Sequence, residues 1–443
     1  MPELAESWEM SRDNLTWTFR LRKGIKFHDN TPFNAEAVKF NFERILNPET
    51  GSPSRTAFTP IKKITVIDEY TVAFSTDKPN APLLENLVQN WASISSPEAM
   101  KKWGKDYGQH PVGTGPYKLK EWTLGERCVI ERYEGYFGKR PNPDVIIYRP
   151  VPEEGARVVE LESGNADIVA DIPPEAAELL KKNPGVKMWV IPSTFQIDFE
   201  LNCARAPFND VRVRKAVNYA VDRKAIVEKI LGGYGTVPDG MFTSGTQGYA
   251  KLTPYPYDPV KAKQLLAEAY PAGYKEKVVL WSTSGRYIKD KLVSEAVQGY
   301  LNQIGLQIEF RAWEWSSYQK TLYSPQPGKG TGLGSNDANM WMMGNSVETA
   351  DWRLRRRLHS KSTANLNGYK NPRVDKLLDT AESTMNYEER MKIYGEIQRI
   401  FWEEDAGWLF LLNLVQSIGM QKNIAGLDAF AHEILLFNDI TKD

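Results

Sequence analysis

The sequence predicts an α/β protein built as two lobes, and three observations predict it. At 443 residues the chain is long enough for two or three domains, each with its own core. Residues 277–310 read as one compact β–α–β unit, the building block of a parallel sheet. A helix over Tyr387–Glu403 and a strand over Trp408–Leu414 extend that body, whereas residues 15–152 read mainly as short strands.

Each element follows from a local pattern. Leu15, Trp17, Phe19 and Leu21 alternate with Thr16, Thr18, Arg20 and Arg22, the mark of a half-buried strand. Lys23-Gly24 and Asp29-Asn30 turn the chain, and a helix starts near Asn34 with Val38, Phe42 and Ile45 at helical spacing. Residues 61–75 give two strands around Asp68-Glu69. Helices follow near Pro82–Val88 and Pro97–Trp103, then strands near 117–122, 127–133 and 144–152. Glu153–Gly164 reads as a helix, Ala166–Val169 as a strand, and Pro173-Pro174 opens another helix. An apolar strand ends at Asn202 within residues 195–208, where the chain is expected to cross between lobes. Asp210 and Asp222 then cap two helices. In the β–α–β unit, Val293, Val297, Leu301 and Ile304 line one helix face, and Gly305 ends it. Residues 324–338 are a flexible loop by composition, and the tail 418–443 is expected to return to the first lobe.

Composition excludes several classes. Lys plus Arg equals Asp plus Glu at 56 each, so no basic nucleic-acid or membrane surface is indicated. No stretch reaches 18 apolar residues. Aromatic content is 11%, with 13 Trp and 20 Tyr, enough to line a cavity as well as the cores. Cys128 and Cys203 are expected to be free, mostly buried thiols. His28, His110, His359 and His432 are unpaired at i, i+4, so neither a zinc site nor any other metal site is expected. There is no G-x-S-x-G elbow, and Gly113-Thr114-Gly115 runs into Pro116, so it is a turn rather than a dinucleotide cradle. No catalytic residue and no cofactor are expected.

Three segments carry a family likeness. Residues 4–44 run L-A-E-S-W-E-M-S-R-D-N-L-T-W-T-F-R-L-R-K-G-I-K-F-H-D-N-T-P-F-N-A-E-A-V-K-F-N-F-E-R-I, residues 113–117 read G-T-G-P-Y, and residues 160–168 read E-L-E-S-G-N-A-D-I. Together they resemble the family 5 extracellular solute-binding proteins, the peptide, nickel and opine receptors of bacterial ABC importers. The resemblance implies a two-lobed periplasmic-binding-protein fold of type II, the Venus-flytrap kind, with an extra small subdomain in the first lobe. It implies lobe I from residues 1–32, 107–202 and 418–443, the small subdomain from 33–106, and lobe II from 203–417. It also implies that a signal segment and about fifty structured residues precede Met1, so the chain is truncated relative to the family. The expected protein is a monomeric, periplasmic or extracellular membrane-associated receptor. It closes on a small-molecule ligand (peptide-like, opine-like or a metal chelate) and docks on ABC permease subunits.

The resemblance also singles out residues. Arg286, in Ser284-Gly285-Arg286-Tyr287, sits where the family holds a ligand carboxylate, and its forked guanidinium suits that task. Trp341 matches the tryptophan of a G-W-x-x-D-Y-P-D-P-D stretch whose acidic core is missing here, leaving Asp351 or Glu348 as substitutes for the ammonium-binding aspartate. That departure favours a ligand without a free α-amino group, or one anchored differently. Thr194, Phe195 and Gln196 precede the crossing strand, where the family often contacts ligand. Trp408, Asn413 and Gln416 lie near the second crossing. Three other readings compete with a solute receptor: a nickel-chelate receptor of the same family, a glycoside or peptide hydrolase, and a sensory module.

Overall fold

The computed structural model describes residues 3–52, 54–323, 337–346, 349–429 and 435–443. In the first part of the chain, β1 (Ala5–Met10) and β2 (Thr16–Leu21) precede α1 (Ala35–Leu46) and α2 (Arg55–Phe58). Then come β3 (Ile61–Asp68), β4 (Thr71–Thr76), α3 (Leu83–Leu87) and α4 (Pro97–Trp103). The four strands form one antiparallel sheet in the order β1-β2-β4-β3. The alternation seen at 15–21 is real: Phe19 and Leu21 are buried with Phe74 and Phe42 of α1, while Arg20 is exposed. Asn34 caps α1 by accepting from the Ala37 N–H at 3.0 Å.

A separate three-stranded sheet follows, β5 (Tyr117–Thr123), β6 (Arg127–Arg132) and β7 (Val145–Tyr148). The chain's tail returns to it: the Asn142 N–H donates to the Asn438 carbonyl at 2.7 Å, and Phe437 packs edge-on against Tyr148. Next come α5 (Glu154–Glu162), β8 (Ile168–Ala170) and α6 (Pro174–Leu180).

The largest body is organised by β9 (Val186–Leu201) and the last long strand. After β9 come α7 (Val211–Ala220), α8 (Arg223–Lys229), β10 (Gly235–Thr236), α9 (Pro259–Ala269), β11 (Lys277–Thr283), α10 (Asp290–Gln303), β12 (Gln307–Trp313) and α11 (Trp315–Tyr323). Next come β13 (Met340–Ser346), α12 (Ala350–Leu358), α13 (Pro372–Ser383), α14 (Tyr387–Arg399) and β14 (Trp408–Gln421), and the tail adds only two-residue strands such as Ile424–Ala425, which pairs with Thr441–Lys442. Seven strands make one sheet in the order β10-β14-β9-β13-β11-β12, with β8 on the far half of β14. β11 pairs in parallel with both β12 and β13, as the β–α–β pattern requires. Asp210 and Asp222 cap α7 and α8 by accepting from the Arg212 and Ala225 N–H groups. The helix expected over 387–403 loses its α-helical form after Arg399 and ends in a wider turn over Ile400–Asp405.

Two strands are longer than expected. β9 begins at Val186 and β14 runs on to Gln421, because the two pair from Glu200 opposite Trp408 to Val186 opposite Gln421, with a break between Gln196 and Pro192. Phe195, Ile197, Phe199 and Leu201 lie under α7 and α10 with Met340 and Met342. The opposite face, carrying Gln196, Asp198 and Glu200, is also buried, under α12. Cys128 and Cys203 are free and half-buried rather than mostly buried. Most of the expected loop at 324–338, from 324 to 336, lies outside the described residues, as does Glu348. Among the described residues no helix is long and apolar enough to cross a membrane.

Candidate functional site

β9 and β14 define the site by being shared. The far half of β9, Phe195–Leu201, lies between β13 and the start of β14. The near half, Val186–Pro192, pairs with the end of β14, which carries β8 on its other side. Between these halves β13 stops at Ser346 opposite Phe195 and β10 reaches only to Leu414, so from Pro192 opposite Val415 onward the sheet narrows to two strands. Pairing shifts at this point, between Asn413 and Val415, and once earlier, between Phe410 and Leu412. Pro192, which has no N–H to give, stands opposite Val415 at this neck.

The neck gathers four of the expected residues. Thr194 Oγ1 and Ser346 Oγ share a hydrogen bond of 2.8 Å. Gln196 stands directly opposite Asn345 on one side and Asn413 on the other. The three amides therefore form a row across three strands on one face. Gln196 Nε2 donates to the Gly240 carbonyl at 3.0 Å. Gln196 Oε1, Asn345 Nδ2 and Asn413 Oδ1 are buried and have no partner among the described residues. Buried polar groups are nearly always satisfied, so this row is built to meet water or a ligand. Gln416 is buried nearby on β14.

Phe195 and Arg286 meet at the carboxyl edge of the parallel strands, where open α/β sheets bind ligands. The Arg286 guanidinium lies 4.9 Å from the Tyr287 ring, 5.4 Å from Trp315 and 5.8 Å from Phe195. Asp290 sets its backbone, accepting the Gly285 and Arg286 N–H groups at 3.0 Å each. Among the described residues no carboxylate comes within 4.0 Å of the guanidinium. An aromatic cage holds this charge in place, partly screened from solvent and without a counter-ion among the described residues.

The remaining expected residues sit deeper. Trp341 is 1% exposed and packs with Trp281, Tyr318 and Met343. Trp408 is fully buried against Phe401, 5.0 Å away. Both flank Glu200, and the indole N–H of each lacks a partner. Asp351 stands in the first turn of α12, accepts from the Tyr394 hydroxyl at 2.8 Å and pairs with Arg355 at 3.7 Å.

The sequence reading passed over a buried ionic layer beneath α12. Arg353 meets Asp198 at 3.4 Å, and Arg357 meets Glu200 at 3.5 Å. Burial pushes the Asp198 carboxyl up to about 7 against the pull of Arg353, and lowers Arg353 to about 9. The signal was present in the alternation Gln196, Asp198, Glu200, Asn202, which marks the second face of a strand with both faces covered.

The opposite wall comes from the β8–α6 loop and α5. Lys289 Nζ bridges to it, 2.8 Å from Glu154 and 2.7 Å from Glu175. The β1–β4 unit closes a third side: Glu85 pairs with Arg390 at 2.7 Å, and Trp91 stacks on Trp352 at 4.8 Å. Among the described residues no group of three or more His, Cys, Asp or Glu could hold a metal ion.

A cleft between two α/β lobes, joined by strands that run through both, defines a two-lobed binding protein of the periplasmic type. The family model for bacterial extracellular solute-binding proteins, family 5 (middle), matches residues 1–351, and the chain belongs to that family. Members of the family are solute-binding transport proteins of ABC importers. The chain is 32% identical over 444 residues to the glutathione-binding protein GsiB of Pectobacterium atrosepticum, covering 98% of this chain and 84% of that one. Among solved structures it resembles the ABC transporter-associated periplasmic binding protein DppA of Helicobacter pylori in complex with the peptide STSA. The TM-score there is 0.88 at 26% identity, covering 100% of this chain and 89% of that one. It also resembles AgaA of A. tumefaciens R10 in complex with agropinic acid, with a TM-score of 0.86 at 28% identity, covering 100% and 90%.

Proposed function

We propose that this protein captures a small, peptide-like acid between its lobes outside the cytoplasm and presents it to an ABC permease, without changing a bond in it. The observation that carries this reading is Arg286, caged by Phe195, Tyr287 and Trp315 with no carboxylate within 4.0 Å among the described residues. It stands on the same sheet edge as the amide row Asn345–Gln196–Asn413. The guanidinium supplies a two-pronged donor for a carboxylate. The unpaired amide atoms supply one donor and two acceptors, a set that matches peptide-like amides. Glutathione, the STSA peptide and agropinic acid, bound by the three relatives, each carry a carboxyl group, which supports the same class of cargo here.

In this reading the two-strand neck is the hinge, and the lobes divide there, near residues 192–195 and 413–415. The β1–β4 unit then counts residues 5–21 as well as 61–76 within the small subdomain, since its strands share one sheet. Closure brings Lys289 onto Glu154 and Glu175 and expels water from around the cargo. The test is calorimetry with glutathione and with free-ended di- and tripeptides. Arg286→Ala should weaken the best of these by about 30-fold, roughly 2 kcal/mol, the cost of losing a charged hydrogen-bond donor. An unchanged affinity removes Arg286 and the carboxylate reading together.

A further inference from the structure

The β1–β4 unit touches both sides of the neck. On one side it is tied to the sheet β5–β7. His28 commits both ring nitrogens there: Nε2 lies 3.0 Å from the Gly115 carbonyl, and Nδ1 accepts the Gly113 N–H at 3.3 Å. The Tyr133 hydroxyl, just after β6, donates to the Phe27 carbonyl at 3.2 Å. The Ser96 N–H donates to the Val112 carbonyl at 2.9 Å, and the chain then runs directly into β5 at Tyr117. This tie is therefore covalent as well as hydrogen-bonded.

On the other side the unit meets α13 and α14 across a seam between segments far apart in sequence. Glu382, at the end of α13, accepts from Lys78 Nζ at 2.6 Å and from Asn80 Nδ2 at 2.9 Å, and its carbonyl accepts the Ala81 N–H at 2.8 Å. Glu85 of α3 accepts from Arg390 Nη2 of α14 at 2.7 Å and from Gln247 Nε2 at 3.4 Å. The seam is mainly polar. The core of the β1–β4 unit and the core around α12–α14 are separate clusters, and among the described residues of these helices only Trp352 packs against the first. Polar surfaces of this kind between bodies of one chain part readily. Its charges on α13 and α14 also keep partners of their own. Arg355 Nη1 stays 3.9 Å from Glu382, and Arg390 Nη1 donates to the Thr384 and Met385 carbonyls at 3.0 and 3.4 Å. Parting the seam thus strands no buried ion, the outcome that would make it costly. Flexing at the neck must break one of the two attachments, and the seam is the one without a chain to hold it.

We infer that the β1–β4 unit is a latch: Lys78, Asn80 and Glu85 engage α13 and α14 when the lobes shut, and hold them shut with or without cargo. This rests on the neck serving as the hinge, and not on the identity of the cargo.

Hydrogen exchange reads the seam directly. The stretch Pro79-Asn80-Ala81-Pro82 carries two backbone amides, and that of Ala81 is bonded across the seam. In the full chain freed of bound solute, the Ala81 amide should exchange more slowly than in a free peptide, yet faster than the amides of the β2–β4 ladder. Lys78→Met combined with Glu85→Gln should speed it at least tenfold, leave the ladder unchanged, and enlarge the radius of gyration in solution scattering. Should the ladder loosen too, Lys78→Met alone, at a side chain 51% exposed, should still speed the Ala81 amide at least threefold. The inference is overturned if the Ala81 amide of the unmodified protein exchanges as slowly as the ladder, which marks a fixed interface, or as fast as a free peptide. It is overturned equally if the variants exchange like their parent. If exchange quickens while scattering stays unchanged, the unit lets go without the lobes parting and the latch falls. The hinge then stands if Lys289→Met enlarges the radius of gyration, and falls with the latch if it does not.

Discussion

Replacing Arg353 with methionine tests whether the ionic layer under α12 holds as a pair. Arg353 and Asp198 are 3% and 0% exposed and 3.4 Å apart. At an effective dielectric constant of about 20, their attraction is about 5 kcal/mol. The guanidinium also lies 4.5 Å from the Trp408 ring, a contact worth about 1 kcal/mol. Taking the arginine out of water costs much of this back, so Arg353→Met should lose about 3–5 kcal/mol where Asp198 is charged. The pH dependence separates lost charge from lost packing. Asp198 is raised in the folded state to about 7, so the folded protein binds the extra proton and stability falls as pH rises from about 4 to 7. Without Arg353 the carboxyl rises further, and its window of falling stability extends above 7. The deficit of Arg353→Met should therefore be smallest near pH 6 and widen by about 1.4 kcal/mol per pH unit above 7. Adding Asp198→Asn should recover most of it. The assay is urea unfolding at pH 6 to 9, followed by tryptophan emission. A deficit under about 1 kcal/mol, or one flat across that range, would refute the pairing argument.

Three further outcomes are expected. Lys289→Met removes the ion pairs with both Glu154 and Glu175 of a side chain only 17% exposed. Solution scattering of the ligand-free protein should then show a larger radius of gyration, and cargo affinity should fall about fivefold, near 1 kcal/mol; unchanged scattering argues against a clasp. In Gly344→Ala the new Cβ would come 2.4 Å from the Phe195 ring and 2.5 Å from the Tyr287 hydroxyl. The Arg286 cage must then shift, costing about 1–3 kcal/mol of stability together with cargo affinity, and a variant with unaltered melting and binding contradicts the packing described. Asn218→Ala takes the Nδ2 donor from the Trp408 carbonyl, 2.8 Å away, and the Oδ1 acceptor from Arg223 Nη2 at 2.8 Å and the Phe410 N–H at 3.3 Å, and should cost about 1–3 kcal/mol in denaturant titrations.

How much of this was legible depended on whether a pattern was local. The strands at 15–21 and 61–75, and the β–α–β unit at 277–310, announce themselves through neighbours along the chain. Their cores formed as the alternation required. Arg286 was legible by position, but its cage was not, because Phe195 and Trp315 come from distant segments. The amide row needed the register of three strands before Asn345 could be seen beside Gln196. Asp198 and Glu200 gave no local sign of their surroundings: both lie in the interior, opposite Arg353 and Arg357, which come from a distant helix. Trp341 and Trp408 stand on either side of Glu200, Trp341 packed with Tyr318 of α11 and Trp408 beside Arg353 of α12, neighbours that the local pattern does not show.

The two long strands pair with one another on both sides of the neck, and that limits how such a molecule can gape. A lone connecting loop swivels freely, but a bonded ribbon resists shear within its own plane and yields mainly by flexing out of it. The jaws are thereby steered along one arc, so a carboxylate seated on one side meets the same opposing surface at every closing, whatever the tumbling of the halves in between.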